Sequence, residues 1–249
     1  MNISLSYNRL NAHIYLEQGI SKAMTKSTES PRQITMQAPV LFIPNVLNVD
    51  FCKHLIQIWE TEGNQDSGVM VDVNGKLTEV IEYEQTIRRN HFLKEGETQQ
   101  RLTHFIRNRV RHEIQKAFHF KITRFEGFTV SCYDASAGGY FRPHRDNDKE
   151  GNAYRRFAMT INLNVGEYEG GYLRFPEYGS DLYQPETGSA VIFSCSLLHE
   201  ATDVTKGRRF ALVSFFYSEQ EVPLIEEYNC RVRNLQNQSQ GEYQLQTQQ

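Results

Sequence analysis

The stretch RFAMTINLN, residues 156–164, places Phe157, Met159, Ile161 and Leu163 at every second position. This period of two is the pattern of a β-strand with one apolar face. Comparable stretches with glycine-rich turns between them lie on both sides: FEGFTVSCYD (125–134), GYLRFPEYG (171–179), LYQPETGSAVIFS (182–194) and RRFALVSFFYS (208–218). The second half of the chain is therefore predicted to be a set of antiparallel strands.

The first half of the chain has a different period. After a short apolar strand in PVLFIPNVL (39–47), Leu55, Ile58 and Trp59 fall at helical spacing, and Gly63 is a natural stop. A longer helix is predicted within residues 97–120, where apolar residues recur about every 3.6 positions. Helices followed by a run of strands predict an α+β fold, with the helices buttressing one face of an antiparallel sandwich or jelly roll.

The two ends of the chain look different from its centre. Residues 1–36 are polar and weakly patterned, which predicts a flexible lead-in. Residues 221–249 form a C-terminal extension whose last part is rich in glutamine, and we expect a disordered tail there. The domain proper is therefore expected to span residues 37–220.

Composition excludes several functions. A net charge of −3 gives no general attraction to nucleic acid or to an anionic membrane, and no apolar run approaches the length of a membrane span. The four cysteines contain no CxxC pair, and the first residues lack a secretory pattern. These features predict a cytoplasmic protein without a disulfide framework; its oligomeric state is left open.

The stretch YFRPHRDN (140–147) places a histidine and an aspartate two residues apart, directly after a strand-like run. Residues at this spacing on an extended segment point to the same side, so His144 and Asp146 can converge on one ion. His199, at the end of the apolar run SAVIFSCSLL, is the best-placed third ligand. Two histidines and one carboxylate are typical of non-haem Fe(II) oxygenases, although zinc accepts the same ligand types.

Arg209 opens the strand RRFALVSFFYS, ten residues after His199. A guanidinium inside a β-sandwich requires an anionic partner, and a carboxylate can pair with it through two hydrogen bonds. A bound 2-oxo dicarboxylic acid would supply that carboxylate. Its other end could chelate iron through the keto and carboxylate oxygens, which leaves one coordination position for O2. This feature favours iron over zinc.

Together these residues resemble the Fe(II)/2-oxoglutarate-dependent dioxygenase superfamily, and within it the prolyl 4-hydroxylase-like branch with its bacterial members. The resemblance covers about residues 40–218 and depends on the order and spacing of several short motifs. They are Tyr133, the run from Gly138 to Asp146, Arg156 followed by Gly170–Gly171, Pro185 with Gly188, His199 and Arg209. The sequence departs from the branch at Arg209, where many animal members have lysine, and at Met159, where a threonine is common.

The resemblance implies a double-stranded β-helix with Fe(II) held by His144, Asp146 and His199, and no catalytic residue beyond the metal centre. It also implies that Arg209 binds the far carboxylate of 2-oxoglutarate, with Tyr133 as a second ligand of this cosubstrate. O2 would be the other cosubstrate, and ascorbate is expected by analogy to keep the iron reduced. Because Asp146 is retained, the implied reaction is hydroxylation and not halogenation.

The substrate is less constrained by the sequence. Proline in a peptide is the usual target of the resembled branch, while a free amino acid or small metabolite is the alternative. Arg142 and Arg156 are candidates for substrate binding, since both lie close in sequence to the ligand motif. Two further alternatives are a non-catalytic metal-binding module of the same fold and a zinc hydrolase, which would leave Arg209 without a role.

Overall fold

The computed structural model describes residues 36–246, so the lead-in expected over residues 1–36 lies almost entirely outside the described residues. Helix α1 spans Val49–Thr61, α2 spans Glu97–Phe105, a π-helical turn covers Ile106–Val110, α3 spans Arg111–Phe118 and α4 spans Val222–Gln246. The helical part of the described residues also includes four short 3-10 turns: Ala135–Ala137, Glu150–Asn152, Pro176–Tyr178 and Glu219–Glu221.

Sixteen strands make up the rest of the described structure. The first eight are β1 (Leu41–Ile43), β2 (Gln65–Asp66), β3 (Val69–Val73), β4 (Lys76–Val80), β5 (Thr86–Ile87), β6 (Arg89–Phe92), β7 (Arg124–Phe125) and β8 (Thr129–Asp134). The others are β9 (Tyr140–His144), β10 (Phe157–Asn162), β11 (Tyr168–Gly170), β12 (Leu173–Arg174), β13 (Leu182–Tyr183), β14 (Ala190–Ser194), β15 (His199–Ala201) and β16 (Val204–Tyr217).

The strands form two facing sheets and one separate hairpin. The larger sheet has the order β1-β14-β10-β16-β8-β6-β2, and β7 and β11 pair with the long strand β16 outside this path. The smaller sheet has the order β13-β12-β15-β9-β5, and β3 pairs with β4 to form the hairpin. The strand pairs we describe are antiparallel, and the predicted α+β fold with a jelly-roll core is confirmed.

The outer face of the larger sheet carries the hydrophobic core. The apolar residues of β10 that alternate in the sequence, Met159 and Ile161, are fully buried against residues of α1 and α2 such as Leu55 and Leu102. Phe210 of β16 stacks edge-on against Trp59 of α1, with ring centroids 5.2 Å apart. The inner face of the same strands is thereby left for smaller and polar side chains.

The helices begin and end largely where the sequence signals lie. Asn48 caps α1 by accepting a hydrogen bond from the Phe51 backbone N–H, and Gly63 follows the helix with φ of 92°. The helix predicted within residues 97–120 is present, but a π-helical turn divides it and His119 ends it in the left-handed conformation.

The C-terminal extension corrects one expectation. Residues 222–246, which include most of the glutamine-rich segment expected to be disordered, form one helix, α4. Glutamine, glutamate and leucine are favourable helix formers, so a segment that is poor in core residues can still be helical. The first part of the helix is anchored to the hairpin β3–β4, since the Tyr228 hydroxyl accepts a hydrogen bond from the Leu77 backbone N–H.

None of the helices within residues 36–246 combines the length and the apolar character that crossing a bilayer requires.

Candidate metal centre

The three predicted metal ligands meet where two strands of the smaller sheet lie side by side. His144 is the last residue of β9, His199 is the first residue of β15, and the two are cross-strand partners. Asp146 follows β9, and its backbone N–H donates to the Cys195 carbonyl at 3.0 Å. One ligand-type atom from each of the three side chains falls within 4.8 Å of the others.

Both imidazole rings are oriented by the backbone. The Nδ1 of His144 lies 2.8 Å from the Arg142 carbonyl, and the Nδ1 of His199 lies 2.9 Å from the Leu197 carbonyl. Because a carbonyl only accepts hydrogen bonds, Nδ1 carries the proton in both rings, which leaves an Nε2 lone pair free on each. This arrangement is typical of histidines that bind a metal through Nε2.

The free lone pairs face the aspartate. The His144 Nε2 is 3.5 Å from Asp146 Oδ1, and the His199 Nε2 is 3.4 Å from Asp146 Oδ2. In the tautomers set by the backbone, none of these four atoms is a hydrogen-bond donor, so the cluster consists of acceptors pointed at one another. A cation at the centre resolves this conflict, and this donor set suits Fe(II).

The protonation states also suit a cation. Burial lowers the pKa of His199 to about 4, with His144 and Arg88 acting in the same direction and Asp146 against it. Burial would raise the pKa of Asp146, but His199, His144 and Arg155 outweigh it and the pKa is lowered. At neutral pH the cluster therefore offers a neutral imidazole at position 199 and an ionised carboxylate at position 146.

Arg155 contacts the backbone of Asp146 and helps to position this residue. Its guanidinium donates two hydrogen bonds to Glu126, at 2.6 and 2.9 Å, and a longer one to the Asp146 carbonyl at 3.4 Å. Tyr154 donates to the same Glu126 carboxylate at 2.8 Å. Because Arg155 is a fixed positive charge that is already neutralised by Glu126, it can position the loop without competing for Asp146 as an ion-pair partner.

Arg209 lies inside the barrel on β16 and is only 4% exposed. Its Nη2 donates to Asn162 Oδ1 at 3.1 Å, its Nε is buried without a hydrogen-bond partner, and its guanidinium lies 5.1 Å from the centre of the Tyr133 ring. A buried guanidinium with an orphaned donor is costly, so the residue is prepared for a bound anion. A dicarboxylate cosubstrate fits this requirement.

The ligand cluster and Arg209 open onto one cavity of about 670 Å³. Its inner wall is built from alternate residues of the larger sheet, and the hairpin β3–β4 contributes part of its rim. Residues of the larger sheet that line this wall include Asn90, Ser131, Tyr133, Thr160, Ala211 and Val213. Small side chains such as Ala211 leave the volume that a bound cosubstrate requires.

Arg142 and Arg156, which the sequence suggests for substrate binding, have partners away from this cavity. Arg142 makes two hydrogen bonds to Asp203, at 2.9 and 3.0 Å, and stacks on the Tyr140 ring. Arg156 donates to Glu221 at 2.9 Å. Neither contributes to the cavity wall. Their carboxylate partners lie 61 and 65 residues away in the chain, which no local pattern reveals.

Sequence reasoning missed Arg88, which does line the cavity. It lies between the two short strands β5 and β6, and these pair with β9 and β8, far along the chain. A two-residue strand carries no readable alternation, so its neighbours could not be placed from the sequence. Asn162 was missed for a related reason, since its contact with Arg209 depends on the sheet register.

Known proteins resemble this chain in the region that carries the site. Residues 128–217 match the model of the 2OG-Fe(II) oxygenase superfamily. A PKHD-type hydroxylase of Gloeothece citriformis is 27% identical over 152 residues, covering 59% of this chain and 67% of that protein. The multifunctional procollagen lysine hydroxylase and glycosyltransferase of Caenorhabditis elegans is 27% identical over 210 residues; the match covers 81% of this chain but only 26% of that protein.

Solved structures show the same fold. The viral collagen prolyl hydroxylase of Paramecium Bursaria Chlorella virus-1, in complex with 2OG, superposes with a TM-score of 0.54 at 18% identity, over 72% of this chain and 96% of that one. A prolyl hydroxylase of Trichoplax adhaerens, in complex with a peptide fragment of hypoxia inducible factor, gives 0.55 at 15% identity, over 88% and 97%.

Residues 128–217 thus match the 2OG-Fe(II) oxygenase superfamily, and the predicted resemblance to that superfamily is confirmed over this region. The sequence relatives include a hydroxylase, and the solved prolyl hydroxylases share the fold of this chain. The family implies Fe(II) and 2-oxoglutarate as the metal and the cosubstrate.

Proposed function

We propose that this protein hydroxylates an unactivated C–H bond of a peptidyl, prolyl-type residue, and that 2-oxoglutarate is converted to succinate and CO2 in the same reaction. The observation that carries the proposal is the meeting, in one cavity, of three ligand atoms and the buried Arg209 guanidinium, whose Nε has no hydrogen-bond partner. When bound, Fe(II) supplies the oxygen chemistry that the side chains themselves lack.

In this proposal the residues of the chain hold and orient the metal and the cosubstrate. His144, Asp146 and His199 are the metal ligands, and the two backbone carbonyls that accept from Nδ1 keep both rings in position. Arg209 binds the far carboxylate of 2-oxoglutarate through paired hydrogen bonds, and Asn162 fixes the guanidinium. Tyr133, which is 4% exposed and faces Arg209, lies beside the same cosubstrate.

The walls of the cavity exclude water from the reacting groups. Phe193 and Phe175 pack around His199, with centroid distances of 4.6 and 6.2 Å, and Phe141 stacks on His144. An apolar surrounding of this kind strengthens the electrostatic contacts inside it and protects a reactive intermediate from side reactions. A requirement for ascorbate stays a prediction.

Peptides are favoured as substrates by what the relatives act on. The Trichoplax adhaerens enzyme was solved with a peptide, and the viral enzyme is a collagen prolyl hydroxylase. The alternative is the same reaction on a free amino acid or a small metabolite, which the cavity of about 670 Å³ could also contain.

The proposal is tested by measuring succinate with purified protein, Fe(II), 2-oxoglutarate and O2, against panels of proline-containing peptides and free amino acids, with products detected by a mass increase of about 16 Da. We expect His199→Ala to abolish succinate formation. Arg209→Met should weaken 2-oxoglutarate binding by about 10- to 100-fold, because a charged hydrogen-bonded pair is lost.

Arg208→Met is the matched control, since Arg208 precedes Arg209 on β16 but pairs with Glu60 outside the cavity. Equal effects of Arg208→Met and Arg209→Met on the 2-oxoglutarate affinity would contradict the assigned role. Succinate formation that persists in His199→Ala would contradict the metal site.

A further inference from the structure

Arg88 is one of the cationic residues that line the cavity, and the function proposed above does not use it. Within residues 36–246 the hydrogen-bond partner of its side chain is Tyr133, whose hydroxyl accepts from Nη1 at 3.5 Å, a weak contact. Its Nε is buried and has no partner. Ion pairs neutralise other arginines around the ligand cluster, as Glu126 does for Arg155 and Glu177 for Arg145.

The position of Arg88 relative to the metal centre is fixed by one aromatic ring. The Arg88 guanidinium carbon lies 4.3 Å from the centre of the Phe141 ring, and the same ring stacks on His144 with a centroid distance of 3.5 Å. A cation held against an aromatic ring keeps its edge free for hydrogen bonding. A group bound at that edge is therefore about one amino-acid side chain away from the metal ligands.

Charge balance indicates what kind of group binds at the edge of the Arg88 guanidinium. The charges of Fe(II), Asp146, Arg209 and a dianionic 2-oxoglutarate cancel one another, so Arg88 remains as an uncompensated positive charge. The rim carboxylates Glu79 and Glu82 are both exposed, and within residues 36–246 neither forms an ion pair with Arg88; Glu79 accepts from the Gly68 backbone N–H at 2.9 Å instead. A half-buried cation of this kind, with a buried Nε that has no partner, is stabilised by an anionic ligand with two acceptor oxygens.

We infer that Arg88 binds a carboxylate of the substrate, on the residue that is hydroxylated or on its immediate neighbour. This inference rests on the proposed function and narrows its substrate class. The carboxylate can be the α-carboxylate of a free amino acid or of a chain terminus, or it can be an acidic side chain beside the target residue. Both sources present the same planar pair of oxygens to the guanidinium.

Binding measurements without turnover test the inference. The protein is loaded with Mn(II) and 2-oxoglutarate under anaerobic conditions and titrated calorimetrically with L-proline, L-prolinamide, and two blocked dipeptides, acetyl-Pro-Asp-amide and acetyl-Pro-Asn-amide. We expect at least one carboxylate-bearing probe to bind about tenfold or more tighter than its amide partner. Arg88→Met should abolish this preference, and Arg88→Lys should retain part of it.

Arg89→Met serves as the matched control, because Arg89 is adjacent but exposed and pairs with Asp66 outside the cavity. It should keep the preference of the wild-type protein. The free amino-acid pair and the dipeptide pair distinguish the two sources of the carboxylate. Either pair showing the preference supports the inference.

The inference is overturned if the wild-type protein shows no carboxylate preference in either pair, or if Arg88→Met retains it. It is also overturned if Arg88→Met weakens 2-oxoglutarate binding as strongly as Arg209→Met does, since Arg88 would then belong to the cosubstrate site. A failure of the proposed function appears separately, as a wild-type protein that binds neither Mn(II) nor 2-oxoglutarate.

Discussion

At the scale of single residues, the metal centre depends on two identical local contacts. In both His144 and His199 the imidazole donates from Nδ1 to the carbonyl of the residue two positions earlier, Arg142 and Leu197. The contact requires no second side chain, so it survives most substitutions around the site. Its consequence is that the coordinating nitrogens are presented before any ion arrives, which lowers the cost of ordering the ligands.

The first prediction concerns the pH dependence of stability in metal-free protein. The pKa of His199 is lowered from 6.5 to about 4, chiefly by burial, so between these values the unfolded chain binds a proton that the folded chain does not. Stability should therefore fall as the pH falls from about 6.5 to 4, by on the order of 1–3 kcal/mol.

This prediction is measured by urea unfolding in the presence of a chelator at several pH values in this window. His199→Gln removes the titrating group and should flatten the dependence. Asp146 remains ionised across the window, since its pKa is lowered, and contributes no slope there. An unchanged slope in His199→Gln would assign the effect to another group.

A residue of the site could be predicted from the sequence when its pattern is local, and not when its position depends on strand pairing. The two-residue spacing of His144 and Asp146 and the strand carrying Arg209 are local patterns, and the structure brings these residues together with His199 and Tyr133. Arg88 and Glu126 reach the site only through pairing between distant strands. The carboxylate partners of Arg142 and Arg156 are equally distant in the chain. The sequence therefore could not show that these two arginines lie outside the cavity.

At the scale of elements, the double-glycine turn between β11 and β12 shapes the cosubstrate pocket. Gly171 has a φ of +62°, and a Cβ atom there would lie 2.6 Å from Cδ of Arg209. The turn therefore provides both a left-handed backbone and the space for the Arg209 side chain. A side chain at position 171 would displace the guanidinium from its present contact with Asn162.

We predict that Gly171→Ala raises the dissociation constant of 2-oxoglutarate by about tenfold or more, because a 1 Å displacement of a positioning group is already costly. Gly166→Ala is the matched control, since Gly166 also has a positive φ, +95°, but opens onto free space. Both variants carry backbone strain of about 1 kcal/mol. If they weaken 2-oxoglutarate binding equally, strain and not contact with Arg209 is responsible.

Strands and helices were predictable to different degrees for physical reasons. Strands β8, β10, β12, β14 and β16 alternate or carry buried apolar runs, and they overlap the stretches predicted as strands. The three-residue strands β11 and β15 lie outside those stretches, because they are too short to show a period. Residues 65–92 form five short strands with exposed or mixed faces, for which the sequence has no clear period. Over residues 222–238, where burial is described, helix α4 has no buried side chain, so the prediction gave its polar composition more weight than its helix propensity.

At the scale of the molecule, α4 connects the C-terminal segment to the rim of the cavity. Tyr228 hydrogen-bonds the Leu77 backbone N–H in the hairpin β3–β4, and its ring lies against Gly151 in the loop that follows the metal ligands. Arg231 forms an ion pair with Glu150 in the same loop. The helix thus holds two rim segments that are distant in sequence.

We predict that Tyr228→Ala increases amide hydrogen exchange in residues 69–80 by about tenfold or more while leaving β8, β10 and β16 protected, because the hairpin loses an anchor outside its own strand pairing. Glu227→Ala, an exposed neighbour on the same helix, is the control and should leave exchange unchanged. Equal protection of the hairpin in both variants would show that α4 does not restrain it.

The cross-strand position of His144 and His199 has a consequence for the assembled protein. An ion bound by both histidines and Asp146 joins points of the chain that are more than fifty residues apart, so it acts as a removable crosslink at the end of the smaller sheet. The stability that this crosslink adds depends on the free metal concentration, because the crosslink is a bound ion and not a covalent bond. Iron supply would then govern how long the folded protein persists as well as how fast it turns over.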